Sequence, residues 1–149
     1  MAQRGESLIE LLVALSIMAT AVLVLLAGLG TAITMSAVHR KQAAAGTYVR
    51  AFAEALESSV AGYPSGYVPC ATTTSYASLY TPPTGFTATV TEVRYWTGSW
   101  QTVCGTDEGV QRVMLQLVSA DNRVTERLAV IVRKPCRNED DFPGDWPCL

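Results

Sequence analysis

Apolar and polar positions divide the chain sharply near residue 38. From Leu11 to Val38 every residue is apolar, Gly, Ser or Thr, and none is charged. At about 1.5 Å per residue, these roughly 28 residues would make a helix of about 42 Å, longer than the roughly 30 Å hydrocarbon core of a bilayer. A secretory signal peptide has an apolar region of only about 7 to 15 residues, so the length favours a membrane helix over a cleaved signal. Beyond Val38 the pattern becomes amphipathic. Val38, Ala45, Val49, Phe52, Leu56 and Val60 share one face at helical spacing, while Arg40, Lys41, Arg50, Glu54 and Glu57 fall mostly elsewhere. One helix is therefore predicted from about residue 6 to about residue 61, ended by Gly62 and Pro64. Gly28, Gly30 and Gly46 each weaken it by up to about 1 kcal/mol relative to Ala, either as hinges or as close-packing positions.

Periodicity changes after the helix. Residues 62–85 are rich in Gly, Pro, Ser, Thr and Tyr and read as a long loop, with Cys70 available to staple it. Three strands are predicted, at residues 86–96, 110–120 and 123–133, with Asp121-Asn122 turning the second into the third as an antiparallel hairpin. In the last strand Val124, Leu128, Val130 and Val132 share a face that needs cover, and the Phe52 face of the helix is the candidate. The fold class is α+β: a long N-terminal helix, half apolar and half amphipathic, packed on a small antiparallel sheet.

Composition narrows the function. Lys and Arg number 11 against 13 Asp and Glu, for a formal net charge of -2 and a pI near 5.3. That balance argues against a general nucleic-acid binder and leaves room only for a local basic patch, in which residues such as Arg94, Arg112 and Arg123 would have to cluster. All four cysteines, Cys70, Cys104, Cys136 and Cys148, lie beyond the apolar run, as disulfides in an oxidising compartment would. Four cysteines allow three pairings, of which Cys70 with Cys104 and Cys136 with Cys148 is favoured because each closes a loop without threading the other. Zinc is disfavoured, because no Cys-x-x-Cys pair exists and the lone histidine, His39, sits at the membrane boundary. Between Cys136 and Cys148, Asn138, Glu139, Asp140, Asp141 and Asp145 offer oxygen ligands for calcium, but an acidic surface loop is the simpler reading. No hydrolase, metalloprotease or phosphate-cradling motif is present, so no enzyme activity and no cofactor are expected. Tyr63, Tyr67, Tyr76, Tyr80, Trp96, Trp100 and Trp146 suit either a binding surface or, more simply, core packing and loop anchoring.

One carboxylate stands apart. Glu10 heads the apolar run, where a charge costs on the order of 2.5 to 3.5 kcal/mol on insertion scales and so calls for a partner. The stretch Gly5-Glu6-Ser7-Leu8-Ile9-Glu10-Leu11-Leu12-Val13-Ala14-Leu15 resembles the class III leader junction of bacterial type IV pilins and type II secretion pseudopilins. That resemblance covers about the first forty residues. It implies a leader of residues 1–5 cut after Gly5 by prepilin peptidase, methylation of the new amino terminus at Glu6, and Glu10 retained as the fifth residue for assembly. It further implies a transmembrane and filament-core helix at 6–38, an extracytoplasmic pilin domain at 39–149, and a disulfide-closed C-terminal loop. The implied partners are other pilin or pseudopilin subunits, prepilin peptidase and an inner-membrane assembly platform. Many members begin with Phe where this chain has Glu6, and carry Pro where it has Ala27. The competing reading is a bitopic adhesin or receptor that never polymerises, which leaves Glu10 and the Gly5 junction unexplained.

Overall fold

The computed structural model describes residues 8–62 and 64–135. The chain divides into two compact units, residues 1–40 and 41–149. Helix α1, Leu8–Ala61, contributes to both. Within the first unit it is the sole described element, and its large apolar side chains from Leu8 to Met35 are all exposed. It is long and apolar enough to cross a membrane.

In the second unit, the other half of α1 packs on a four-stranded antiparallel sheet of order β2-β1-β3-β4. The strands are β1 (Phe86–Trp96), β2 (Trp100–Gln101), β3 (Val110–Ser119) and β4 (Thr125–Arg133). The predicted first strand is reproduced, and the second and third differ by one or two residues at the turn between them. Strand β2 is an addition to the sequence reading. Thr97-Gly98-Ser99 turns the chain there, with Gly98 at φ 82°, and pairs Trp96 with Trp100. The β3–β4 hairpin closes through Ser119 N–H donating to Val124 O at 2.9 Å, with Asn122 in the left-handed region at φ 55° that Asn tolerates.

Helix, strand and turn signals converge on one core. Ala45, Val49, Phe52, Ala53, Leu56 and Val60 are buried on α1, which is the predicted stripe with Ala53 added and without Val38, which is only half-buried. From the sheet come Val90, Val93, Tyr95, Val113, Leu115, Leu117, Val130 and Val132. Leu128, expected among them, is half-buried. Phe52 stacks on Tyr80 with ring centroids 5.5 Å apart, and Tyr48 meets Phe86 edge-on at 5.2 Å. The helix follows β4 in the same sense. Lys41 bonds Asp121 at the start of the hairpin, while Val60 and Ala61 line a shallow recess with Ile131, Val132 and Arg133 at the far end. The Lys41 bond holds the Asp121 carboxyl below the usual carboxylate range, assisted by Ser119 Oγ.

Which residues of β1 face the helix is decided by a bulge. Its register against β3 shifts between Val90 and Glu92. Val90 faces inward before the shift, and Val93 and Tyr95 face inward after it. Strict alternation from Val90 would instead have put Glu92 and Arg94 into the core, at the cost of two buried charges.

Truncation at the centre of this packing tests the arrangement. Phe52→Ala should destabilise the second unit by about 3 to 5 kcal/mol through lost burial and a residual cavity. Urea unfolding of the full chain in detergent, followed by near-ultraviolet circular dichroism, measures the loss.

Candidate functional site

Two regions carry chemistry, one in each unit. In the first, four hydroxyls of the apolar helix are spent internally. Ser16 Oγ donates to Leu12 O at 2.8 Å, Thr20 Oγ1 to Ile17 O at 2.9 Å, Thr31 Oγ1 to Gly28 O at 2.8 Å and Thr34 Oγ1 to Gly30 O at 2.9 Å. Such back-bonding lets a hydroxyl sit in an apolar medium without an orphaned donor. Glu10 is different. It lies exposed near the start of the described part of α1, and no described residue donates to it. Gly28 and Gly30 face open space, since a Cβ built on either meets nothing within 4 Å. Packing among the described residues therefore does not account for them.

In the second unit, the loop after the helix is tied to the sheet by a disulfide and a carboxylate. Cys70 is joined to Cys104. Next to the bridge, Asp107 accepts four hydrogen bonds at 2.7 Å: Oδ1 from Tyr67 Oη and Gly109 N, and Oδ2 from Cys70 N and Gln111 Nε2. Gln111, fully buried on β3, also donates to Val68 O at 2.9 Å and accepts from Tyr76 Oη at 3.2 Å. Tyr76 Oη receives Val68 N–H at 3.1 Å, and Tyr95 Oη donates to Ala71 O at 2.6 Å. Cys70 itself sits at φ 51°, a left-handed conformation unusual for a residue with a Cβ, which the bridge and the Asp107 bond fix in place. Among the described residues, no buried side-chain polar atom lacks a partner.

Electrostatics follow from this wiring. Burial pushes the Asp107 carboxyl up, but the donors from Cys70, Tyr67, Gly109 and Gln111 together outweigh it and hold the carboxyl below its ordinary range. Burial, reinforced by the Asp107 charge, drives the Tyr67 phenol far up. Burial likewise raises Tyr76, Tyr80 and Tyr95. The sulfurs of Cys70 and Cys104 and a carboxylate oxygen of Asp107 lie within 4.8 Å of one another. With the sulfurs bonded to each other they are not thiolates, and this trio is a structural clamp rather than a metal site.

The sequence reading named the cysteines but missed Asp107 and Gln111. Gln111 carried a signal: a polar residue in phase with Val113, Leu115 and Leu117 on the inward face of β3. The described tyrosines of the loop serve as anchors, with Tyr67 and Tyr76 buried. Gly5, Glu6, Cys136, Cys148, Tyr63, Trp146 and the acidic stretch from Asn138 to Asp145 lie outside the described residues.

Residues 1–26 match the family model described as the prokaryotic N-terminal methylation motif. The chain thus carries the motif that marks prepilins and pseudopilins, on the segment that contains Gly5, Glu6 and Glu10. No curated protein sequence and no solved structure matches the chain significantly.

Two outcomes test the clamp. Asp107→Ala strands four donors and should cost about 2 to 4 kcal/mol, with chymotrypsin then cleaving between Tyr67 and Tyr80. Because the folded-state pKa of Asp107 lies below its unfolded value near about 3.9, its stabilisation is complete above that value and is lost as pH falls through the lowered one. The tyrosines have the opposite sense. Their raised values confer stability that is complete below about pH 10 and lost as pH rises through them. Alkaline titration at 295 nm should show Tyr67 ionising only with unfolding, and Tyr76, Tyr80 and Tyr95 ionising above the ordinary tyrosine range.

Proposed function

We propose that the chain is a non-enzymatic, processed subunit of a type IV pilus or a related secretion filament, of the minor pilin or pseudopilin kind. The N-terminal methylation motif supports processing. The observation that carries assembly is Glu10: a carboxylate with no donor among the described residues, on a helix whose apolar surface is uncovered all round. Prepilin peptidase cuts after Gly5 and methylates the new terminus at Glu6. The protein then waits in the cytoplasmic membrane as a single-pass species with its second unit outside the cytoplasm.

Assembly follows from matching charges. The amine exposed at Glu6 of one subunit meets the Glu10 carboxylate of its neighbour as the helices stagger, and each offsets the desolvation of the other. Apolar contact alone cannot fix register, since lipid tails are as apolar as a neighbouring helix. A single polar pair can. Gly28 and Gly30, open on the helix surface, let neighbouring helices approach closely. The disulfide and the Asp107 clamp keep the outer unit folded in an oxidising, protease-rich setting.

Glu10→Ala should leave a processed, membrane-resident protein that is missing from sheared filament fractions, and normal incorporation of that variant would refute the assembly role. Mass spectrometry of the native N-terminus should show a chain beginning at Glu6, and a bulky replacement at Gly5 should leave the leader attached.

A further inference from the structure

The sheet has a second face, turned away from the helix, and its charge differs from that of the whole chain. Arg94 on β1, Arg112 on β3 and Arg127 and Arg133 on β4 fall in the outward phase of their strands, with Glu92 the sole acid among the described strand residues of this face, while Arg133, at the end of the edge strand, also borders the recess that holds Glu57 of α1. Four arginines against one glutamate stand on a chain of net charge -2. Arg94 and Arg112 are direct cross-strand partners, a like-charge pairing that sheets ordinarily avoid. Each is drawn aside by a neighbour: Arg94 bonds Glu92 at 2.7 Å, and Arg112 lies over the Trp100 ring at 5.1 Å. Arg133 stands one step along, opposite Val110, and Arg127 bonds Gln116 at 3.0 Å.

Aromatic surface adjoins this charge. Trp96 is 38% exposed and meets Trp100 edge-on at 5.1 Å, at the same end of the sheet as Arg94, Arg112 and Arg133. Arg123, in contrast, sits at the opposite end beside Asp121. Salt confines the attraction to about 8 to 10 Å, so this face acts locally despite the acidic chain. Guanidinium groups recognise phosphate, and an exposed indole offers a stacking platform. The two together suit a strand whose bases are unpaired, because a duplex hides its base faces from the rings.

We propose that the outward face of the sheet binds single-stranded nucleic acid, with phosphates on Arg94, Arg112 and Arg133 and bases against Trp96 and Trp100. This surface is independent of Glu10 and of whether the subunit enters a fibre.

The experiment is a fluorescence anisotropy titration of labelled oligothymidine, roughly 20 nucleotides long, with the full chain in neutral detergent between about 50 and 200 mM salt. Binding should weaken steeply with salt. Arg112→Gln and Arg133→Gln should each lose about fivefold at about 0.1 M salt and flatten the log–log salt slope by about 0.7, the increment of one phosphate contact on a single strand. Trp96→Leu should lose roughly fivefold or more with the slope unchanged, because stacking releases no counterion. Arg123→Gln should bind as the parent does. Near-ultraviolet circular dichroism confirms that each variant is folded. Absence of binding by the parent overturns the proposal. So does equal affinity for the duplex with no effect of Trp96→Leu, which would mark a plain polyanion surface, and so does binding of heparin without oligothymidine, which would mark an acidic polysaccharide site.

Discussion

The face of α1 that carries Phe52 and Leu56 is fully buried against the sheet, and the organisation of the second unit depends on that contact. It sets which side of β1, β3 and β4 is apolar, and it aligns the helix along β4 from Lys41 at the hairpin to Val60 at the opposite end. The same helix continues into a segment with no cover of its own. A helix that is apolar on one stripe is satisfied by one sheet; a helix apolar all round needs lipid or other helices. Both demands are met by one uninterrupted element, Leu8–Ala61, whose surface chemistry changes near residue 38.

Beyond the helix, stability of the loop is a matter of polar satisfaction. Residues 64–85 bury little apolar surface beyond Tyr67, Ala71 and Tyr76, and such a segment does not order itself by the hydrophobic effect alone. Asp107 and Gln111 supply what is missing by giving the backbone of Cys70 and Val68 fixed partners. The Cys70–Cys104 bridge adds to this by restricting the unfolded chain, worth about 4 kcal/mol for a loop of this size in the chain-entropy account. Tyrosine is used because one side chain can bury a ring and still present a donor to the carboxylate.

The two faces of the sheet divide the work. Inward residues build the core, and outward residues carry arginine and tryptophan. The division depends on one extra residue near Thr91, since the bulge turns Glu92, Arg94 and Trp96 out together while keeping Val93 and Tyr95 in. A structural defect in the ladder thus creates a chemically distinct surface.

Helix α1 was legible in the sequence because its periodicity is long and consistent, and a run of that length leaves no competing structure. The strands were legible from β-branched alternation, whereas the pairing of Cys70 with Cys104 was favoured among three possibilities and was decided by the fold that brings the two together. The N-terminal motif was legible because its pattern is local: a glycine, an acid five places on, and an apolar run behind it. Asp107, Gln111 and the basic face were not, because each depends on residues distant in the chain meeting across strands. A carboxylate becomes a clamp only when Tyr67, Cys70 and Gln111 converge on it. Arginines become a surface only when register sets them side by side, and register is a property of paired strands, which no single segment contains.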